Sequence, residues 1–136
     1  FFQAEDGIRD TELWLEFRRV LFRSIDLAKD HKFAGIILES PFTSMVKLSR
    51  KYYPWAPTSL LLKDKYETDK KINKVFSPIL ILHGRKDNIV PFQMGEELFK
   101  KANNPKYNYF IDNDDHMMDF NDNLVNSINK FISSLN

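Results

Sequence analysis

Residues 78–91 read PILILHGRKDNIVP, and this stretch decides the fold class of the chain. The four aliphatic residues 79–82 are followed by a His-Gly pair, and an aspartate comes at position 87. A short apolar run that ends at a turn signal is typical of a β-strand buried on both faces. The stretch therefore predicts a central strand with a polar loop at its carboxyl end.

Strand-like and helix-like segments alternate on either side of this strand. Further strands are expected at residues 33–39 and 107–111, and the first of them is also expected to be buried on both faces. Helices are expected at 92–102 and 120–135, with Asp119 as the cap of the second. Strands that alternate with helices are joined in parallel by right-handed crossovers, so the prediction is an α/β fold.

The segment between the first two strands differs in kind from the rest. Residues 42–75 are rich in proline, aromatic and charged residues. Helical pieces are expected at about 43–52, 58–64 and 68–73, because prolines interrupt the pattern between them. We interpret this segment as a small helical insert between two strands.

Two loops at predicted strand ends contain residue types that suit catalysis. Asp87 follows the second strand and His116 follows the third. Because neighbouring strands lie about 4.8 Å apart, an acid and an imidazole on the same sheet edge can meet. In a nucleophilic triad the acid binds one ring nitrogen, and the other nitrogen takes a proton from a serine. The structural alternatives are a turn or cap role for Asp87 and a solvated surface position for His116. His83 is expected to be packed and His31 to be exposed.

Composition excludes several classes of protein. The 136 residues carry 20 Lys and Arg against 19 Asp and Glu, so the net charge is +1 and nucleic-acid binding is not expected. The chain has no cysteine, which excludes a disulfide scaffold, a cysteine-ligated zinc site and a cysteine nucleophile. No apolar run approaches the ~18 residues that span a bilayer.

Cofactor and metal motifs are missing from the sequence. Glycine occurs at four positions only, so neither a dinucleotide-binding loop nor a P-loop can be formed. The acidic loop at 112–115 lacks the glycine and the final glutamate of an EF-hand, so calcium is not expected. Glu39 and Ser40 end the first strand, where Ser40-Pro41 is interpreted as a chain turn. We therefore expect no cofactor and no metal.

The first 24 residues need a separate explanation. Their ends, FFQAEDGIRD and RRVLFRS, resemble translated sequencing-adapter readthrough, as found in open reading frames assembled from short metagenomic reads. The alternative is an irregular amphipathic helix. We interpret residues 1–24 as a non-native segment and residues 25–136 as a partial domain, in which 25–29 looks like the end of a truncated helix.

The motif HGRKDNIVP, together with the later DDH, resembles the C-terminal half of the α/β-hydrolase superfamily. It is similar to the branch of serine-aminopeptidase-like hydrolases, membrane-associated esterases and protein depalmitoylases. The resemblance implies that Asp87 is the triad acid, that His116 is the general base, and that residues 42–75 form the cap. Relatives more often have glycine just before the histidine, where this chain has Asp114 and Asp115.

The serine nucleophile of that family is missing from the chain. The family needs G-x-S-x-G at a strand-to-helix turn, and no Gly-x-Ser occurs here. We expect a fragment of a serine hydrolase that cleaves an ester, thioester or amide, inactive by itself. A serine peptidase is the alternative within enzymes, and a non-catalytic binding protein of the same fold is the alternative outside them.

The same resemblance suggests the partner and the location. The partner is expected to be a small-molecule or acyl substrate, and the cap aromatics favour an apolar acyl or aromatic group: Tyr52, Tyr53 and Trp55. The expected location is the cytoplasm, with membrane association of the full-length parent through a missing N-terminal segment as the alternative.

Overall fold

The computed structural model describes residues 24–135. The predicted non-native segment, residues 1–24, lies outside this range except for Ser24. Residues 24–28 are helical and form α1. The further elements in chain order are β1 (Ile36–Glu39), α2 (Met45–Tyr52), α3 (Thr58–Leu61), two 3₁₀ turns (Thr68–Lys70 and Ile72–Lys74), β2 (Ile79–Gly84), α4 (Phe92–Lys101), β3 (Lys106–Ile111) and α5 (Asp122–Ser133).

The described strands form one parallel sheet in the order β1-β2-β3. Ile36 of β1 is in register with Ile79 of β2, which is in register with Lys106 of β3. Parallel pairing brings the carboxyl ends of all three strands to one edge of the sheet, where ligands bind in open α/β folds. The predicted α/β class is therefore confirmed.

The strand β2 is buried along its whole length because the core has two layers, one on each face of the sheet. Ile79 and Ile81 contact one cluster, which includes Leu98 of α4. Leu80 and Leu82 belong to a second cluster, which includes Leu124 of α5. Alternate residues of a strand point to opposite faces, so these two clusters lie on the two faces of the sheet. The prediction that the second strand is fully buried is correct.

The first strand differs from its prediction. It begins at Ile36 rather than residue 33, and its burial alternates, with Ile37 40% exposed. Among the described residues β1 has a neighbouring strand on one side only, so within that range it lies at an edge of the sheet. An edge strand can leave one face accessible, which is why the aliphatic run there does not mean burial on both faces.

The helix boundaries also differ from those predicted, and the larger differences are as follows. The helix predicted to reach residue 64 ends at Leu61, and the helix predicted at 68–73 is a pair of 3₁₀ turns. The last helix begins at Asp122, and its cap is Asn121 rather than Asp119. The Asn121 side chain accepts hydrogen bonds from the amides of Asn123 and Leu124, both at 3.1 Å, which satisfies two otherwise unpaired helix donors.

The segment 42–75 packs against the loop that follows β2. Phe42 and Leu48 form a buried cluster with Val90. An ion pair also connects the segment with α4, because Lys47 lies 3.0 Å from Glu97, and a second pair within the segment joins Lys47 to Asp69 at 2.9 Å. The insert thus lies at the edge of the sheet where β2 ends. No helix within residues 24–135 is long and apolar enough to cross a membrane.

Candidate active site

Asp87 is held by its own loop. Its Oδ1 accepts hydrogen bonds from the backbone amides of Ile89, at 2.9 Å, and Val90, at 2.7 Å. Aspartate commonly closes a turn in this way because its short side chain reaches amides two or three residues ahead. The predicted turn role of Asp87 is therefore real, but it occupies one carboxylate oxygen and leaves Oδ2 for other donors.

The histidine loop lies directly over this turn. The amide of Arg85 donates to the carbonyl of Ile111 at 2.8 Å, and the amide of Lys86 donates to the carbonyl of Asp114 at 3.0 Å. A Cβ added at Gly84 would overlap with that Asp114 carbonyl oxygen. Glycine is required here because the backbones of the two loops are in close contact.

His116 meets Asp87 at the carboxyl edge of the sheet. Its Nδ1 lies 2.9 Å from Oδ2 of Asp87, and the imidazole is 15% exposed whereas the carboxylate is fully buried. An ionised carboxylate only accepts hydrogen bonds, so Nδ1 carries the proton in this contact and Nε2 is the basic nitrogen of the neutral ring. This is the tautomer that a general base of a triad requires.

The surroundings of Asp87 keep it ionised. Burial raises the pKa of the Asp87 carboxyl, but hydrogen bonds from His116, His83 and the Val90 amide outweigh burial and hold the pKa far below its ordinary value. A carboxylate that stays charged at neutral pH can stabilise a positive imidazolium beside it.

His83 also belongs to this site, although the sequence indicated only a packed residue. Its ring is fully buried, as predicted, and its Nε2 lies 3.0 Å from the carbonyl oxygen of Val90. The same nitrogen lies 3.4 Å from Oδ2 of Asp87. The spacing H-G-x-x-D places residues 83 and 87 on the two sides of a turn, but it does not by itself indicate a contact between their side chains. His31 is exposed, as predicted.

The end of β1 contributes a second carboxylate. Glu39 is accessible to solvent, yet desolvation by the surrounding protein raises the pKa of its carboxyl, and the coulombic effect of a protonated His116 ring would partly offset that rise. The next residue, Ser40, has a φ of 41°, and its buried hydroxyl has no hydrogen-bond partner among the described residues. A left-handed backbone conformation at Ser40 redirects the chain from β1 into the insert.

The insert is bonded to the loop that carries Asp87. The Tyr52 hydroxyl donates to the carbonyl of Ile89 at 2.6 Å, and the Lys51 ammonium donates to the carbonyl of Asn88. Tyr53 and Trp55 are exposed and contact each other edge to face. Of the three aromatic residues singled out in the sequence, only Tyr52 is bonded to this loop in the contacts described.

The acidic residues of the histidine loop have local structural contacts. Asp115 accepts a hydrogen bond from the amide of Met117 at 2.8 Å, and Asp112 pairs with Arg85 at 2.8 Å. Within the part of the chain that the structure describes, no group of three or more His, Asp or Glu side chains could hold a metal ion.

Comparison with known proteins shows partial matches. No family model matches the chain. It is 37% identical over 83 residues to an uncharacterized protein of Mycobacterium tuberculosis, a match that covers 61% of this chain and 30% of that protein. It is 34% identical over 82 residues to Alpha/beta hydrolase domain-containing protein 17B of Homo sapiens, a match that covers 60% of this chain and 27% of that protein. The matches thus span less than a third of these relatives.

The fold is similar to that of a solved lipase structure. The crystal structure of Paleococcus ferrophilus monoacylglycerol lipase matches with a TM-score of 0.60 and 15% identity, covering 85% of this chain and 65% of that one. The chain therefore has part of an α/β-hydrolase fold, and its sequence is similar to part of an α/β-hydrolase domain-containing protein.

Proposed function

We propose that this chain carries the acid and the base of a serine hydrolase, Asp87 and His116. The observation that carries the proposal is the 2.9 Å contact between His116 Nδ1 and Asp87 Oδ2 at the carboxyl edge of the sheet. The similarity to the α/β-hydrolase fold supports it, since that fold presents triad acids and bases at this edge.

The proposed chemistry is acyl transfer through a serine. His116 Nε2 takes the proton from the serine hydroxyl as its oxygen attacks the substrate carbonyl, and Asp87 stabilises the imidazolium that forms. The imidazolium then returns the proton to the leaving group, and an acyl-enzyme results. Water, activated by the same imidazole, releases the acid product.

We favour a carboxylic ester or thioester as substrate over a peptide. The similarity to a protein described as a monoacylglycerol lipase supports an ester, although a shared fold alone does not define a substrate. The aromatic residues of the insert, which we assign as the cap, are compatible with an apolar acyl group. A cytoplasmic location, with membrane association of the parent as the alternative, belongs to the same proposal.

The nucleophile and the oxyanion hole belong, in this proposal, to sequence of the parent protein that the 136 residues do not contain. No Gly-x-Ser occurs in the chain, and Ser24 lies in no elbow motif. We therefore expect the isolated chain not to react with a fluorophosphonate probe, which labels activated serines. Labelling of the chain that a single serine substitution abolishes would contradict this expectation.

The test of the function is recovery of the complete reading frame. The longer protein should contain Gly-x-Ser-x-Gly upstream of residue 25, label with the probe, and hydrolyse p-nitrophenyl butyrate. His116→Gln and Asp87→Asn should each lower kcat by about 10³–10⁴, whereas Asp112→Asn, which removes an exposed carboxylate from the same loop as His116, should leave kcat nearly unchanged. An intact elbow in which another residue replaces the serine would favour the non-catalytic binding protein.

A further inference from the structure

The two oxygens of Asp87 have different partners. Oδ1 accepts both backbone hydrogen bonds of the loop. Oδ2 faces two imidazoles, with His116 Nδ1 at 2.9 Å and His83 Nε2 at 3.4 Å. Oδ2 thus lies between His116 and a second histidine that is itself inaccessible to substrate, because its ring is fully buried.

The contact with Val90 shows where the proton of His83 is located. Nε2 lies 3.0 Å from the carbonyl oxygen of Val90, which can only accept. Nε2 therefore carries the hydrogen, and that hydrogen lies within reach of both the Val90 carbonyl and Asp87 Oδ2. His83 is thus bonded to Val90, the Val90 amide donates to Asp87 Oδ1, and His83 Nε2 also lies 3.4 Å from Oδ2 of the same carboxylate.

The other nitrogen of the ring supports the same assignment. His83 Nδ1 is buried and has no hydrogen-bond partner among residues 24–135. A proton on Nδ1 would leave a buried donor unsatisfied and would take the hydrogen away from the Val90 carbonyl. Space for this nitrogen exists because residue 95 is glycine: a Cβ there would overlap with His83 Nδ1. The ring also contacts Phe92 edge to face, with centroids 5.7 Å apart.

We propose that His83 is a positioning residue for the acid and base, whose Nε2–H holds Asp87 Oδ2 toward His116 Nδ1. The role of His83 in catalysis rests on the proposed function, whereas its hydrogen-bond arrangement can be tested independently of that function. A residue that only filled the core would need the shape of the ring and not its N–H group. Substitutions of His83 can therefore distinguish a requirement for the N–H donor from a requirement for the shape of the ring.

The first measurement uses the unsubstituted chain. Nitrogen chemical shifts of the histidine rings, recorded by NMR at a pH where they are neutral, report which nitrogen carries the proton. We expect His83 to carry it on Nε2 and His116 to carry it on Nδ1. A proton on Nδ1 of His83 would overturn the proposal, and this result does not depend on any variant being folded.

The second measurement compares His83→Gln with His83→Met. Glutamine places an N–H donor at about the reach of Nε2, whereas methionine has the same length without a donor. In the methionine variant, the fraction of neutral His116 rings that carry their proton on Nδ1 should fall below one half, because Asp87 Oδ2 is no longer held. Glutamine should restore its dominance.

Two outcomes would contradict the donor role. One is a folded methionine variant that keeps the Nδ1–H form of His116 as fully as the unsubstituted chain does. The other is a glutamine variant that behaves like methionine, since ring shape would then be the requirement. Absence of hydrolysis by the complete protein would refute the proposed function instead, and it would leave these ring signals unchanged.

Discussion

Asp87 is a buried charge whose lone pairs are nearly all in use. Two backbone amides bind one oxygen and two imidazoles face the other. A buried carboxylate without partners takes up a proton, whereas one with several donors stays ionised. The donors around Asp87 are sufficient to reverse the effect of burial, and this explains the low pKa of a side chain with no exposed surface.

The lowered pKa predicts how stability depends on acid. Because the unfolded chain takes up a proton near the ordinary value of 3.8 while the folded chain takes it up only at lower pH, the contribution of Asp87 is complete above about pH 4 and is lost progressively below it. Asp87→Asn should lower the free energy of unfolding by about 1–3 kcal/mol near neutral pH. The difference in the free energy of unfolding between this variant and the unsubstituted chain should decrease between pH 4 and pH 2.

Urea unfolding at a series of pH values checks this prediction. Asp112→Asn is the matched control for loss of one carboxylate, since its side chain is 83% exposed. A deficit of Asp87→Asn that stays constant down to pH 2 would show that the charged form of Asp87 contributes nothing to folding.

At the scale of elements, two loops rather than two strands build the site. The loop after β2 supplies Asp87, the loop after β3 supplies His116, and their backbones touch at Gly84 and Asp114. The strands bring the loops to the same edge, but the contact at Gly84 sets the distance between the two side chains. The insert adds a third contact, through the hydroxyl of Tyr52.

Gly84→Ala should therefore disturb both stability and the site. The added methyl group meets backbone atoms of residue 114, which cannot turn away as a side chain can. We expect a loss of about 1–3 kcal/mol in the free energy of unfolding. We also expect a decrease in the Nδ1–H form of His116, as the histidine loop moves away from Asp87.

Gly35→Ala is the control for this prediction. A Cβ at Gly35 would meet the side chains of Leu135, at 2.7 Å, and Phe131, at 3.0 Å, and no backbone atom is among its nearest contacts. This variant should keep the His116 ring signals of the unsubstituted chain. If the His116 signals change equally in both variants, the contact between Gly84 and residue 114 has no special role in placing His116.

How much could be predicted from the sequence differs between the general geometry of the fold and particular contacts. The fully buried β2 and the meeting of Asp87 with His116 could be predicted, because apolar runs and strand order act through general geometry. The second contact of His83 could not, since a histidine at a strand end has the same pattern whether or not it reaches a carboxylate. The exposed face of β1 could not be predicted, because an aliphatic run does not show how far other elements cover the strand.

For the whole molecule, the sheet has an accessible edge. Among the described residues β1 pairs with β2 alone, and Ile37 on this strand is 40% exposed. Unpaired strand edges that carry apolar side chains promote association between chains. A charged residue at such an edge opposes that pairing, and natural proteins often use lysine there.

We expect the chain to associate as its concentration rises, and Ile37→Lys to reduce this association. Light scattering over a range of chain concentrations would measure the effect. Leu60→Lys, which replaces an exposed leucine in the insert rather than on the sheet edge, is the matched control. If both variants reduce association equally, general surface apolarity and not the strand edge is the cause.

The overlap between a side chain at position 95 and the His83 ring has a consequence for how this sequence can change over time. While the histidine is present, any side chain at position 95 meets its ring, so mutations there are selected against. Once position 83 has lost its ring, that restriction disappears, and a later side chain at position 95 would hinder the return of histidine. The order of the two mutations therefore matters: a side chain at position 95 is accommodated only after the ring at position 83 is lost, and it then blocks the return of histidine.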